Sequence, residues 1–288
     1  MAYACKILAD SISPHGIRLT TLQATFPRFV LSELNTHRML SRNSASSRAI
    51  PPEKLIEAVT ANPFIPEFNR RVKGMGVGDP LDAVKAKEAK NVWLEARKSA
   101  VKSAEWLVRL DVDKSRVNRL LEPFMWHTAI ITATEWENFF NLRCHKDAQP
   151  EIREIAKMIY RAREASTPDT LAFGEWHLPL VNSDNPVWSQ AVLASASAGR
   201  CARVSYLTQE NEEPLLASAN RWDRLRKSGH WSPAEHPARC ADSREFEASN
   251  FKGWTQLRKL DDNEAIFPET YSEDRPPGTG LIPNLSPA

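Results

Sequence analysis

Apolar and polar positions change period several times along the chain, and each change predicts an element. Residues 16–31, GIRLTTLQATFPRFVL, alternate in part and are rich in Thr, Val and Phe. They predict a strand that Pro27 ends, with a helix starting near Arg28. Residues 51–81 combine a short helix with a Pro/Gly-rich loop over 63–81, which reads equally as a boundary or as an active-site loop. Across 82–122 an apolar stripe of Leu94, Val101, Ala104, Leu107 and Leu110 predicts helix. The β-branched run 126–134, WHTAIITAT, predicts a buried strand. In 150–166, Pro150 suits a first helical turn, and Ile152, Ile155, Ala156 and Ile159 fall on one helical face. Helices are also predicted over 186–200 and over 212–228. The second carries Leu215, Leu216, Ala219, Trp222 and Leu225, and Gly229 closes it. The tail from Asp274 is rich in Pro and Gly and is expected to dock loosely or stay disordered. The pattern therefore gives one domain over 1–273 and a tail over 274–288.

Composition narrows this little. The 288 residues are 42% hydrophobic and 26% charged with a net charge of +2, which argues against disorder and against a polycation that coats nucleic acid. Apolar runs are too short to span a membrane, and the N-terminus lacks a signal-peptide core. Four cysteines, Cys5, Cys144, Cys201 and Cys240, stand singly, so a structural zinc site is not expected and reduced thiols in a cytoplasmic protein are.

The chemistry concentrates in 35–51, NTHRMLSRNSASSRAIP. Arg38, Arg42 and Arg48 are permanently charged forks suited to phosphate, and Ser41, Ser44, Ser46 and Ser47 add hydroxyls beside an accessible backbone. An ordinary solvated Arg/Ser loop would have the same composition.

Spacing separates the two readings. The stretch resembles the signature of the flavin-dependent thymidylate synthases, the thymidylate synthase complementing protein family: Arg-His-Arg, seven residues, then Ser. Here THR is followed by MLSRNSA and Ser46, with Ser41, Asn43 and Arg48 at the family's inner Ser, Asn and trailing Arg, and FPRFVLSELNTHR is similar to the helix leading in. NFFNLR (138–143), DAQPEIR (147–153), CARVSY (201–206) and SGHWSPAEH (228–236) resemble further family segments. The last two precede the Arg-His-Arg segment in the family and follow it here, which implies a circular permutation. FKGWTQLRKL (251–260) weakly echoes the lead-in helix, as a trimmed tandem duplication would.

The resemblance implies an α/β (α+β) fold with a central, largely antiparallel sheet and packed helices. It implies FAD shared across the interfaces of a homo-oligomer, a tetramer in the family, with methylenetetrahydrofolate and NADPH as co-substrates and dUMP converted to dTMP. His37, Arg38, Asn43, Asn141, Arg143, Ser205, His230, Ser232 and Glu235 would hold the flavin. Glu33, Ser46, Ser47, Arg48 and Arg153 would meet the nucleotide, Arg153 and Ser46 in catalytic roles. No metal, membrane or stable nucleic-acid partner is implied.

Departures keep alternatives open. Thr36 replaces the first Arg, and Arg258 of the echo is a candidate to supply that cation. Glu33 stands for a Gln and Ser44 for a Glu. A carboxylate at 33 suits an amino donor such as that of cytosine, so C5 hydroxymethylation of dUMP or dCMP stays open. A catalytically inactive nucleotide-binding relative does too. Arg153 also reads as an exposed helical Arg, and His230 as a helix C-terminal cap.

Overall fold

The computed structural model describes residues 2–74, 76–182, 186–208, 212–243, 247–248 and 250–261. The Pro/Gly-rich tail lies outside them. The chain begins with an antiparallel hairpin, β1 (Ala4–Ile12) and β2 (Arg18–Pro27). Gly16, at φ 74°, makes the tight turn between them, a backbone shape that costs glycine nothing. The expectation starting at residue 16 captured β2 and its end at Pro27 but missed β1. Small residues and a register shift between Ile7 and Ala9 blur the alternation there. After β2, one 3₁₀ turn leads into α1 (Leu31–Asn35) and the edge strand β3 (Ser41–Ser44).

Next come α2 (Pro52–Ala61), α3 (Ala83–Arg109) and α4 (Lys114–Arg119). The helical stretch expected over 82–122 is broken at Asp111, whose φ is 57°. Leu110, placed in the apolar stripe, is 59% exposed because α3 has already ended. Val101 and Ala104 are buried as expected, against Leu55, Val59 and Phe124.

β4 (Trp126–Ala133) pairs with β2 on one side and β3 on the other. The resulting five-stranded sheet runs β3-β4-β2-β1-β5, antiparallel except where β5 (Asp169–Thr170) joins β1. After β4 come α5 (Glu137–Arg143) and α6 (Pro150–Ala165). α6 lays Ile152, Ile155, Ala156 and Ile159 on one sheet face, against Leu22, Phe26 and Ile131. Ile130 points to the opposite face, against Cys201 and Val204. Burial on both faces is why this strand reads as an unbroken β-branched run.

β6 (Trp176–His177), β7 (Ala238–Cys240) and β10 (Trp254–Gln256) form a second sheet. Between them in sequence lie α7 (Gln190–Ala202) and α8 (Leu215–Lys227), and then the β8 (Glu247–Ala248) and β9 (Phe251–Lys252) pair. Residues 251–260 are thus strand and 3₁₀ turn, and the expected echo of a helix is absent. Gly253, at φ 64°, turns the chain between β9 and β10, where a side chain would strike Ile17. Leu216, expected on the apolar face of α8, is 47% exposed, while Trp222 is buried. The four cysteines are free thiols. Among the described residues no helix is long and apolar enough to cross a membrane.

A chain of buried polar side chains ties the sheets together. Ser11 Oγ meets His177 Nδ1 at 2.8 Å, and His177 Nε2 meets Thr21 Oγ1 at 2.7 Å. Thr21 meets Thr132 at 2.7 Å, and Thr132 meets His236 Nδ1 at 2.8 Å. Burial holds both histidines down to about 3, so they are neutral.

α7 and α8 cross closely at Gly199, where a Cβ would lie 1.8 Å from the Ser218 carbonyl oxygen. Alanine normally stabilises a helix interior relative to glycine by about 1 kcal/mol. Here the sign reverses. Gly199→Ala is expected to destabilise the protein by about 1–3 kcal/mol, read as a lowered Tm; an unchanged or raised Tm contradicts the close crossing.

Candidate functional site

β3 brings Asn43 to the sheet edge, where it is buried and bridges two distant segments. Its amide donates to the Cys201 carbonyl at 2.9 Å, and its Oδ1 accepts from the Ser232 hydroxyl at 3.3 Å. The chain then turns: Ala45 N–H donates to Thr128 O at 2.9 Å and Ser46 N–H to Ser205 O at 3.2 Å. The Ser46 hydroxyl accepts the Arg48 N–H at 3.2 Å. From behind, the Asn118 amide donates to the carbonyls of Ser47 and Ile50 at 2.6 and 2.9 Å. The Arg/Ser stretch is therefore a fixed turn, with Arg48 left exposed.

Two further walls meet it. α7 tightens into a 3₁₀ turn, Arg203–Tyr206, that presents Ser205. α8 ends in a Schellman motif, with Gly229 at φ 77°, Gly229 N–H donating to Arg226 O at 3.1 Å and His230 N–H to Leu225 O at 2.9 Å. That cap delivers His230 and the 3₁₀ turn Ser232–Glu235. His230 is thus part of a helix cap by its backbone while its ring, 3.2 Å from the Ser228 hydroxyl, faces the cavity.

The three walls enclose a cavity of about 980 Å³. Asn43, Ser46, Arg48, Ser205, His230 and Ser232 line it, all from the sequence-predicted set. Lys114, Arg203, Arg221 and Arg224 line it too and were not predicted. For Arg221 and Arg224 a signal existed: they stand at i and i+3 on α8, ahead of Ser228 and His230. For Lys114 there was none, since α4 lies outside every resembling segment.

Glu213 organises one wall. It pairs with Arg221 and Arg203, the latter at 3.7 Å, and accepts the Ser218 hydroxyl at 2.7 Å. These bonds, Arg221 first, hold its carboxyl down to about 2.

A second cluster does not line the cavity. Buried His37 packs edge-on against Phe139, ring centroids 5.0 Å apart. Arg143 Nε donates to His37 Nε2 at 2.8 Å, and its Nη2 donates to Thr36 Oγ1 at 3.1 Å and Glu33 O at 3.3 Å. Burial, then Arg143 and Arg42, hold His37 down to about 4. The ring is neutral, with its proton on Nδ1. Arg143, not Arg258, is the cation beside Thr36; Arg258 is ion-paired with Glu235. Glu33 accepts the Ser32 hydroxyl at 2.8 Å. Arg38 and Asn141 are exposed, Ser47 is buried behind the turn, and Arg153 donates to the Lys146 carbonyl. Neither Glu235 nor Arg153 lines the cavity.

The family profile described as Thymidylate synthase complementing protein matches residues 14–169. No curated protein matches the chain in sequence. Among solved structures, the UMP/dUMP methylase PolB from Streptomyces cacaoi bound with 5-Br dUMP is 15% identical, with a TM-score of 0.46 over 56% of this chain and 89% of that one. The same methylase bound with 5-Br UMP is 13% identical, with a TM-score of 0.48 over 56% of this chain and 88% of that one.

Glu213 gives a pH test. Its carboxylate is favoured in the fold, so its contribution is full above the unfolded value of about 4.3 and is lost as pH falls through about 2. Glu213→Gln is expected to lower Tm at pH 7, with the gap to the native protein narrowing between about pH 4.5 and 2. A gap that stays constant with pH excludes the carboxylate as its source.

Proposed function

The chain belongs to the thymidylate synthase complementing protein family, and on that premise we propose that it modifies carbon 5 of a pyrimidine deoxynucleotide monophosphate, converting dUMP to dTMP. The observation that supports this best is the meeting of three sequence-distant segments, 43–49, 201–208 and 228–233, around one cavity with no carboxylate on its described walls. Segments 201–206 and 228–236 lie outside the matched 14–169 region yet bond directly to Asn43 and Ser46 within it. A circular permutation of the family order accounts for both facts.

Arg48 and the Ser46 hydroxyl take the nucleotide phosphate, since a fixed turn spends little ordering entropy on binding. FAD fits the donor set: the cavity exceeds a nucleotide in size, and its lining offers cations and hydroxyls to phosphates and ring carbonyls. Asn43, Ser205, His230 and Ser232 hold the cofactor from this cavity. His37, Arg38, Asn141, Arg143 and Glu235 contribute from outside it, as they would across the interface of a homotetramer. FAD held there would supply a hydride when reduced by NADPH, with methylenetetrahydrofolate as the carbon donor. Neutral His37 is an Nε2 acceptor already taken by Arg143, so it orients that guanidinium rather than moving a proton. Arg153 stabilises negative charge developing on the base carbonyl, once released from the Lys146 carbonyl. Glu33, beside this cluster, favours an amino donor, which keeps C5 hydroxymethylation of dCMP as the second reading.

Tritium release from carbon 5, with dUMP and dCMP offered separately to FAD-loaded enzyme and folate, tests the proposal. Release from one base is expected, and the product mass separates methyl from hydroxymethyl; release from neither ends both readings. Arg48→Ala is expected to raise KM for the nucleotide about 10–100-fold, the loss of one charge-assisted phosphate contact. An unchanged KM removes Arg48 from the phosphate site.

A further inference from the structure

The turn that carries Arg48 is closed from two sides. From within, the Ser46 carbonyl accepts the N–H groups of Ala49 and Ile50 at 3.0 and 3.2 Å, and the Ser46 hydroxyl accepts that of Arg48 at 3.2 Å. From α4, Asn118 Nδ2 donates to the carbonyls of Ser47 and Ile50 at 2.6 and 2.9 Å. A primary amide carries two N–H donors on one nitrogen, so one side chain spans the turn and brackets Arg48 and Ala49. Asn118 is 0% exposed, and its Oδ1 is buried with no partner among the described residues. A buried acceptor left unpaired costs stability, so this amide serves through its donors alone. Leucine would remove the orphan oxygen but strand both carbonyls, and aspartate would set acceptors against acceptors. α4 is itself held without any ligand: Val117 and Leu121 are fully buried in the apolar cluster that contains Ala45 and Ile50. Ser46, Arg48 and Ala49 line the cavity, whereas Asn118 does not.

We infer that Asn118 is a positioning residue for nucleotide binding: by bracketing Arg48 it holds the turn in the shape that presents this guanidinium to the phosphate. The inference rests on the proposed phosphate role of Arg48 and adds to it a residue outside every segment that resembles the family. Asn118 touches neither phosphate nor base. It acts on the cost of ordering. A turn already in its bound shape loses little freedom when the anion arrives, whereas a loosened one must be ordered by the anion itself.

A double-mutant cycle read by isothermal titration of the full-length protein with dUMP tests it. Asn118→Ala is expected to weaken dUMP about tenfold in the native background, and about twofold or less once Arg48→Ala has removed the guanidinium. The same factor in both backgrounds assigns Asn118 a general structural role; it overturns the inference and leaves the pyrimidine reading standing. Orthophosphate is titrated alongside. The expected coupling with orthophosphate, in a protein that binds dUMP no more tightly than orthophosphate, sinks the pyrimidine reading and leaves Asn118 in its role. Hydrogen exchange in the native protein decides the question even where Asn118→Ala does not fold. The amides of Arg48, Ala49 and Ile50 are expected to be protected before any ligand is added, and to change by about twofold or less with saturating orthophosphate. Protection that arises only when the anion is added shows that the ligand, not Asn118, orders the turn, and overturns the inference.

Discussion

The site rests on one buried amide. Asn43 holds the Cys201 carbonyl with its Nδ2 and the Ser232 hydroxyl with its Oδ1, joining the edge strand to the end of α7 and to the turn after α8. An Asn side chain can do this because it offers donor and acceptor from one planar group. Replacing either role would leave a buried polar group unpaired, at a cost of about 1–3 kcal/mol. The cavity's walls meet at that junction, since Ser46 bonds to Ser205 four residues beyond Cys201, and His230 lies two residues before Ser232.

Behind it the buried histidines are neutral, while the cavity is lined by cations. His177 and His236 sit neutral in a hydroxyl-linked chain that runs from β1 to the turn holding Ser232. His127, also buried, is held down to about 3 by burial and then by Arg28. Around the cavity the balance is opposite. Glu213 fixes Arg203 and Arg221 and accepts the hydroxyl of Ser218, whose backbone carbonyl is the point where α8 meets Gly199 of α7. The remaining cations face the space where phosphates are proposed to bind. Packing of two helices, one ion-paired carboxylate and the electrostatics of the pocket are therefore a single arrangement.

Much of this was legible in the chain. β4 and α6 were read correctly because their signals are strong: a β-branched run closed on both faces, and four apolar residues at helical spacing. The cap at Gly229 was read because a Schellman motif needs a left-handed residue where glycine stands. β1 was not, since a register shift erases alternation. The stripe across α3 ran too far because nothing in the residues marks Asp111 as left-handed. The echo at 251–260 misled for a related reason: a sequence likeness over ten residues says little when Gly253 turns the chain and β10 finds partners in β7.

The sequence by itself determined the elements whose forces act between near neighbours: helix periods, the proline and glycine stops, and the concentration of forks and hydroxyls between residues 35 and 51. It also placed Asn43, Ser46, Arg48, Ser205, His230 and Ser232 in one site through their resemblance to family segments. Only the tertiary structure decided how charges are paired. That Arg203 and Arg221 share Glu213, that Arg143 rather than Arg258 meets Thr36, and that Lys114 and Arg224 line the cavity all depend on residues far apart in the chain. Coulombic and hydrogen-bonded partners are chosen by distance in space, and the fold alone sets that distance.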